Sequence, residues 1–295
     1  MNPPILVTGA TGTVGRVLVR TLLGAGHPVR ALVTDPTAAG PTLGAVDARL
    51  TLARFDFAEP ATFADTFAGA AALFLLRPPA IGDAGVIARA VDAARRAGVR
   101  RVAFPSIQGT AHNPVVPHHG IERHLERLAA ADAGLVYTFL RAAFFMQNLS
   151  TTHAADIREL GEVFVPAGGG RTAFVDARDV AAAAARVLAD PAGAGHANPA
   201  YELTGREALT YDDVAQVLTR VLGRPIVDRH PGALRFYRHM RARGHPRAFA
   251  AVMVALYTTT RVGLAEHMSP ELEQLLGRAP ISFERFAQDS AAAWR

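Results

Sequence analysis

The stretch ILVTGATGTVG, Ile5 to Gly15, joins an apolar run to three spaced glycines and leads into a helical pattern. Each glycine has a physical task. Gly9 lets the backbone turn sharply out of a strand, and Gly12 removes a side chain where backbone N–H groups must approach a pyrophosphate. Gly15 lets the following helix pack closely on the strand. That helix then points its positive N-terminal end at the bound anion. Glycine-rich turns are common, so the flanks decide the reading. A strand precedes the turn, and Val14, Val17, Leu18 and Leu22 follow it at helical spacing. The stretch predicts a dinucleotide site.

Outward from this turn the chain alternates strands and helices. The first helix covers about Val14–Leu23 and is closed by Gly24–Gly26. Strands are expected at Val29–Thr34, Leu50–Phe55, Ala72–Leu76, Val102–Pro105 and Val136–Leu140. A helix over Gly85–Ala97 ends at Gly98, and Ile121, Leu125 and Leu128 form the apolar stripe of another. Such a beat means βαβ units, a parallel sheet and, with right-handed crossovers, a doubly wound α/β fold. Beyond about residue 145 the beat weakens. Val163–Pro166, the glycine run 168–170 and Thr172–Val175 look like a hairpin, with the glycines as a simple turn because no helix follows them directly. Thr210-x-x-Asp213 and Ser269-Pro270-Glu271 read as helix starts, and a strand near Tyr201–Thr204 should return to the sheet. The expected division is a dinucleotide domain over 1–150, rejoined by strands near 172–190 and 201–204, with 151–295 mainly a substrate-binding region.

Composition narrows the function. The 295 residues are half apolar, enough for a sizeable core without metals or crosslinks. The absence of cysteine excludes disulfides, a thiolate nucleophile and zinc-thiolate sites, and suits a reducing cytoplasm. The chain runs directly into its first strand, leaving no room for a signal peptide, and its longest apolar block, Ala248–Tyr257, is too short to span a bilayer. The expectation is a cytoplasmic protein with no membrane partner. Net charge is +5, and all 31 basic residues are arginine. Arg235, Arg238, Arg241, Arg243 and Arg247 interleave with Phe236, Tyr237 and Phe249. That stretch is either a nucleic-acid surface or a solvated helix whose apolar side (Leu234, Tyr237, Met240) covers a pocket. No nucleic-acid motif accompanies it, which favours the second reading.

Five segments occur in an order and spacing that carry a family resemblance: TGATGTVG (8–15), VRALVTDP (29–36), FDFAEPATF (55–63), RVAFPS (101–106) and YTFLRAAFFMQNL (137–149). Together they resemble the NmrA-like branch of the atypical short-chain dehydrogenase/reductases. VDARDVA, YELTG and FAQDSAAAW continue the likeness more weakly. The resemblance implies a Rossmann-type domain with a smaller mixed α/β C-terminal substrate domain. It also implies one of two activities: NAD(P)H-dependent reduction of quinones, ketones or imines, or cofactor-dependent regulation without turnover.

Carried over residue by residue, Gly9, Thr11, Gly12, Thr13, Val14 and Gly15 match the phosphate loop. Asp56 and Phe57 match positions that meet the adenine, and Leu76 and Arg77 lie where the nicotinamide ribose should be. Asp56 has a second reading, as a loop residue capping the helix after it. Many relatives carry arginine at the position of Thr34, where it holds the 2′-phosphate of NADP. Asp35 lies about twenty residues beyond the glycine motif, the spacing at which a carboxylate holds the ribose of NAD, but it follows the arginine position rather than filling it. With no acid at 34 and a basic chain, NADP(H) is expected over NAD(H).

Ordinary short-chain reductases use a Tyr-x-x-x-Lys pair. Aligning Glu122 and Leu125 with the family helix places His118 at the lysine position and Pro114 at the tyrosine position. With no lysine in the chain and its five tyrosines elsewhere, the dyad cannot exist. Ser106 matches the family serine, and either hydrogen-bonds a substrate carbonyl or ties up a strand-end turn. His118 either meets the nicotinamide ribose or relays a proton, or else pairs with Glu122 one turn later. His119 and His124 are expected at the surface, and no metal ligand set is expected among these histidines. A ketone or quinone with a neighbouring phenol stabilises its own developing alkoxide, so the expected substrate is an aromatic, polyketide-like ketone or a quinone. Phe144, Phe145, Met146, Phe236, Tyr237 and the helix 248–257 are expected to roof its pocket. The competing reading is a non-catalytic NAD(P)-binding redox sensor, which fits the missing dyad equally well.

Overall fold

Seven parallel strands form the central sheet of the computed structural model, which describes residues 2–44, 47–190, 196 and 199–295. They are β1 (Ile5–Thr8), β2 (Val29–Val33), β3 (Leu50–Arg54), β4 (Ala72–Phe74), β5 (Arg101–Ile107), β6 (Val136–Ala142) and a last strand, Ala200–Leu203. Their order across the sheet is Ala200–Leu203, β6, β5, β4, β1, β2, β3, so the direction of winding reverses between β1 and β4. In such sheets ligands bind beyond the carboxyl ends at this reversal. The fold is the doubly wound α/β architecture expected from the strand–helix beat.

The helices cover both faces. On one face α3 (Phe63–Phe67), α4 (Ala84–Arg96) and α5 (Pro117–Ala131) bury Phe67, Ile87, Val91, Ile121 and Leu125 against Leu6, Leu73, Val102 and Phe104. On the other, α1 (Thr13–Gly24) packs against the helix Ala177–Ala189, whose alanines are mostly buried. Small side chains there let two helices and the sheet approach closely. The helix α2 (Pro36–Leu43) lies beside α1 and packs on β3.

The chain divides into two units, Met1–Ala142 with Ala177–Leu203 and Ala143–Asp176 with Thr204–Arg295. In the second unit Phe174, Tyr211, Phe236, Tyr257, Phe283, Phe286 and Trp294 form an aromatic core, with the indole N–H of Trp294 donating to the Leu149 carbonyl (2.9 Å). Thr210 and Asp213 make the reciprocal capping box expected of a helix start.

Three expectations are corrected here. No hairpin links 163–166 to 172–175. Glu162–Val163 instead pairs in parallel with Val227–Asp228, and Thr172–Val175 pairs with Ala208–Leu209 and Phe144–Phe145. Nor does the segment 172–190 return strands to the main sheet: its strand belongs to this small three-stranded sheet of the second unit, and 177–189 returns to the first unit as a helix. Finally, Phe236 and Tyr257 do not roof a pocket. They are buried in the second core, where the rings of Phe236 and Tyr257 meet edge to face at 5.4 Å. The basic stretch is partly neutralised, Arg243 by Asp156 and Glu159 and Arg229 by Glu162. Among the described residues no helix is long and apolar enough to cross a membrane.

Candidate dinucleotide site

The glycine turn is held by Thr8, the last residue of β1. Its buried hydroxyl donates to the Phe74 carbonyl (3.0 Å) and accepts from the Leu76 N–H (2.6 Å), tying together the carboxyl ends of β1 and β4. Gly9 then adopts φ +60°, and the Gly12 N–H closes the turn on the Gly9 carbonyl (2.9 Å). Two close approaches follow. A Cβ on Gly9 would stand 2.6 Å from Leu76 Cδ2, and one on Gly15 would stand 2.1 Å from the Gly9 oxygen. The second collision is with backbone, so α1 lies where it does only because residue 15 has no side chain.

Gly12 caps α1 with no side-chain hydrogen bond, and the first turn of that helix carries no acidic residue. Gly9, Thr11 and Thr13 are exposed, while Val14 is buried and anchors the helix. The N–H groups of the first turn, uncovered by any capping side chain, and the helix dipole therefore face an open surface. This cradle fits a pyrophosphate.

At the end of β2, Thr34 and Asp35 are exposed, and Asp35 Oδ1 accepts from the N–H groups of Thr37 (2.9 Å) and Ala38 (3.2 Å). Asp35 is thus the N-cap of α2. Beyond β3, Asp56 Oδ1 accepts from the Ala58 N–H (2.8 Å), a local turn, and Asp56 caps neither of the helices that follow, which begin after Glu59 and Thr62. The Phe57 ring is buried edge to face on Phe55, at 4.8 Å, which leaves backbone rather than ring to meet a ligand there.

Arg77 and His118 come together next to β4. The Arg77 guanidinium donates to the carbonyls of Pro78 (3.1 Å) and Ile81 (2.5 Å), while its Nε–H is buried without a partner. The Nδ1 of His118 is also buried and unpartnered. Burial, and secondarily the Arg77 guanidinium, push the His118 pKa down to about 4, so the imidazole is neutral at pH 7. Two unsatisfied buried polar atoms at a strand end fit a hydroxyl-bearing ligand such as a ribose.

His118 does not pair with Glu122. Glu122 is fully buried and accepts two hydrogen bonds from the Arg141 guanidinium (3.1 and 2.8 Å), because Arg141 on β6 faces that turn of α5. His119 and His124 are half-buried rather than surface residues: the ring of His119 donates to the Thr110 carbonyl (3.0 Å), and His124 pairs with Asp92 (2.8 Å). Ser106 is buried and donates to Thr110 Oγ1 (3.2 Å), which donates in turn to the Ile107 carbonyl (2.7 Å). The roles of Thr8 and Thr110 were not apparent from the sequence. Thr8 had a signal, standing directly before the first glycine, whereas Thr110 had none.

The family model of the NmrA-like family matches residues 1–270. The chain belongs to the NmrA-like family. Over 292 residues it is 32% identical to an NAD(P)H azoreductase of Xenophilus azovorans, covering 98% of this chain and 99% of that one. The structure of an NADPH-dependent quinone oxidoreductase of Escherichia coli, complexed with NADPH, has a TM-score of 0.83 at 26% identity, over 99% of this chain and 100% of the other. Triphenylmethane reductase of Citrobacter sp., complexed with NADP(H), gives 0.81 at 27% identity, over 97% and 99%. The NmrA-like chain is an NAD(P)H oxidoreductase.

Proposed function

We propose that this NmrA-like protein reduces an aromatic, polyketide-like ketone or a quinone with NADPH, without a protein side chain acting as the indispensable acid. The observation that carries the reading is the neutral His118, its buried Nδ1 without a hydrogen-bond partner, beside Arg77, where ordinary short-chain reductases keep a lysine. Arg77 and His118 would hold the nicotinamide end of the cofactor, whose reduced form would supply hydride to an electrophilic carbon. The protein's part is orientation. The open first turn of α1 holds the pyrophosphate, and Thr11 and Thr13 flank it. Asp56 and the backbone of Phe57 meet the adenine, and Leu76, Arg77 and His118 hold the nicotinamide ribose. NADPH is preferred because position 34 carries no acid and Asp35 is engaged as a helix cap. The aromatic substrate class is supported by the relatives named for azo compounds, quinones and triphenylmethane dyes.

NADPH consumption with a panel of quinones, azo dyes and aromatic ketones tests the reading. Turnover of a quinone or aromatic ketone is expected; tight NADPH binding with no turnover of any of them would overturn it in favour of a sensor.

His118 separates orientation from acid catalysis. A group with a pKa of about 4 stays neutral as pH falls from 8 to 5, so kcat/KM should show no His118 inflection in that window. His118→Ala should weaken NADPH binding several-fold, the scale of one lost hydrogen bond of about 1 kcal/mol, and leave kcat within about tenfold. A kcat loss of about a thousandfold would instead make it the acid. Ser106 already donates to Thr110, so it meets a substrate carbonyl only by exchanging that bond, and Ser106→Ala belongs in the same assay.

A further inference from the structure

No residue named so far supplies a cation for a 2′-phosphate: position 34 is threonine, and the chain has no lysine. We infer that Arg54, the last residue of β3, holds the 2′-phosphate and thereby sets the cofactor preference. The inference rests on the NADPH reading above. The place of Arg54 on the sheet and the availability of its guanidinium carry it.

β2 and β3 pair in parallel with Val33 opposite Arg54, so Arg54 stands beside the strand end from which Thr34 continues. Side chains alternate across a sheet. Phe55 and Leu32 enter the core beneath α3 and α4, which puts Arg54 on the opposite face, where α2 packs on β3. Asp56, two residues on, shares that alternation and is the residue assigned to the adenine.

The guanidinium is also available. Its partner is Glu59, at 2.8 Å, and the two side chains are 56% and 48% exposed. So exposed an ion pair is weak. A phosphate dianion, which takes the guanidinium fork bidentately, displaces a solvated carboxylate readily. The exposed Thr34 is too short to occupy the space an arginine would fill there. Asp35, the nearby carboxylate, directs Oδ1 to two N–H groups of α2, which offsets its charge with the positive end of that helix.

Titration calorimetry with NADPH, NADH, 2′,5′-ADP and 5′-AMP tests this without turnover. Arg54→Ala should weaken NADPH and 2′,5′-ADP by at least about tenfold, as expected when a charge-assisted contact is lost, and NADH and 5′-AMP by less than about twofold. Glu59→Ala, which frees the guanidinium, should strengthen NADPH and 2′,5′-ADP and leave NADH and 5′-AMP unchanged. A purely structural Arg54–Glu59 pair would not give these opposite signs. Equal losses for all four ligands in Arg54→Ala, or no loss for any, overturn the role of Arg54 while leaving a wild-type preference for NADPH standing. A wild-type protein that binds NADH at least as tightly as NADPH overturns the preference itself.

Discussion

Gly15→Ala is expected to lower dinucleotide affinity by about two orders of magnitude, close to 3 kcal/mol. The new Cβ would sit 2.1 Å from the Gly9 oxygen and 2.8 Å from its carbonyl carbon, and neither is the end of a flexible side chain. Either α1 moves away from the turn or the turn opens, and both remove N–H groups from the anion. Overpacking alone costs about 1–3 kcal/mol, and each amide lost from a charged partner about 1.5–3 kcal/mol. Gly24→Ala in the same helix is the matched control. Nothing lies within 4 Å of its Cβ, so a gain of roughly 0.5–1 kcal/mol in unfolding free energy and unchanged binding are expected. Calorimetric binding and thermal unfolding of both variants check the contrast. If Gly15→Ala bound NADPH like the wild type, the close approach of α1 to the turn would not matter for the site.

Arg141→Ala should lower the unfolding free energy of the protein by about 3–5 kcal/mol, the scale for leaving one member of a buried ion pair alone. Glu122 is wholly buried and both of its oxygens are held by Arg141, so removing Arg141 would strand the carboxylate without its partner in an apolar setting. Arg141 also reaches Glu202 (3.4 Å) on the edge strand, so β5's neighbour, α5 and the last strand all meet at this guanidinium. Replacing both partners, as in Glu122→Leu with Arg141→Met, should recover most of the loss because no charge is then stranded. Urea unfolding of the three proteins measures it. A loss below about 1 kcal/mol for Arg141→Ala would show the pair to be hydrated. The same network seats α5, and with it His118.

Much of this was legible one segment at a time. The turn at Gly9–Gly15, the strand–helix alternation and the capping box at Thr210 are local patterns, and local patterns are dictated by backbone conformation and hydrophobic period. Reading failed where a residue's partner lay far along the chain. Glu122 sits one helical turn from His118, so spacing suggested that pair, yet Arg141 nineteen positions away wins because it brings a full charge and two bonds. The ring of Phe57, by contrast, is turned inward by a near neighbour, Phe55, which leaves its backbone to face a ligand. Thr172–Val175 looked like half of a hairpin, but its partners are Phe144–Phe145 and Ala208–Leu209.

A strand that must turn, a helix that must approach it and the absence of any lysine are properties of order and composition, so the glycine turn and the missing Tyr-x-x-x-Lys dyad could be read before any contact was known. The ionisation state of His118 could not. It follows from burial and from the nearby Arg77 guanidinium, which folding brings from the end of β4 to the start of α5. Desolvation and Coulomb fields depend on distance in space, and only the packed chain defines that.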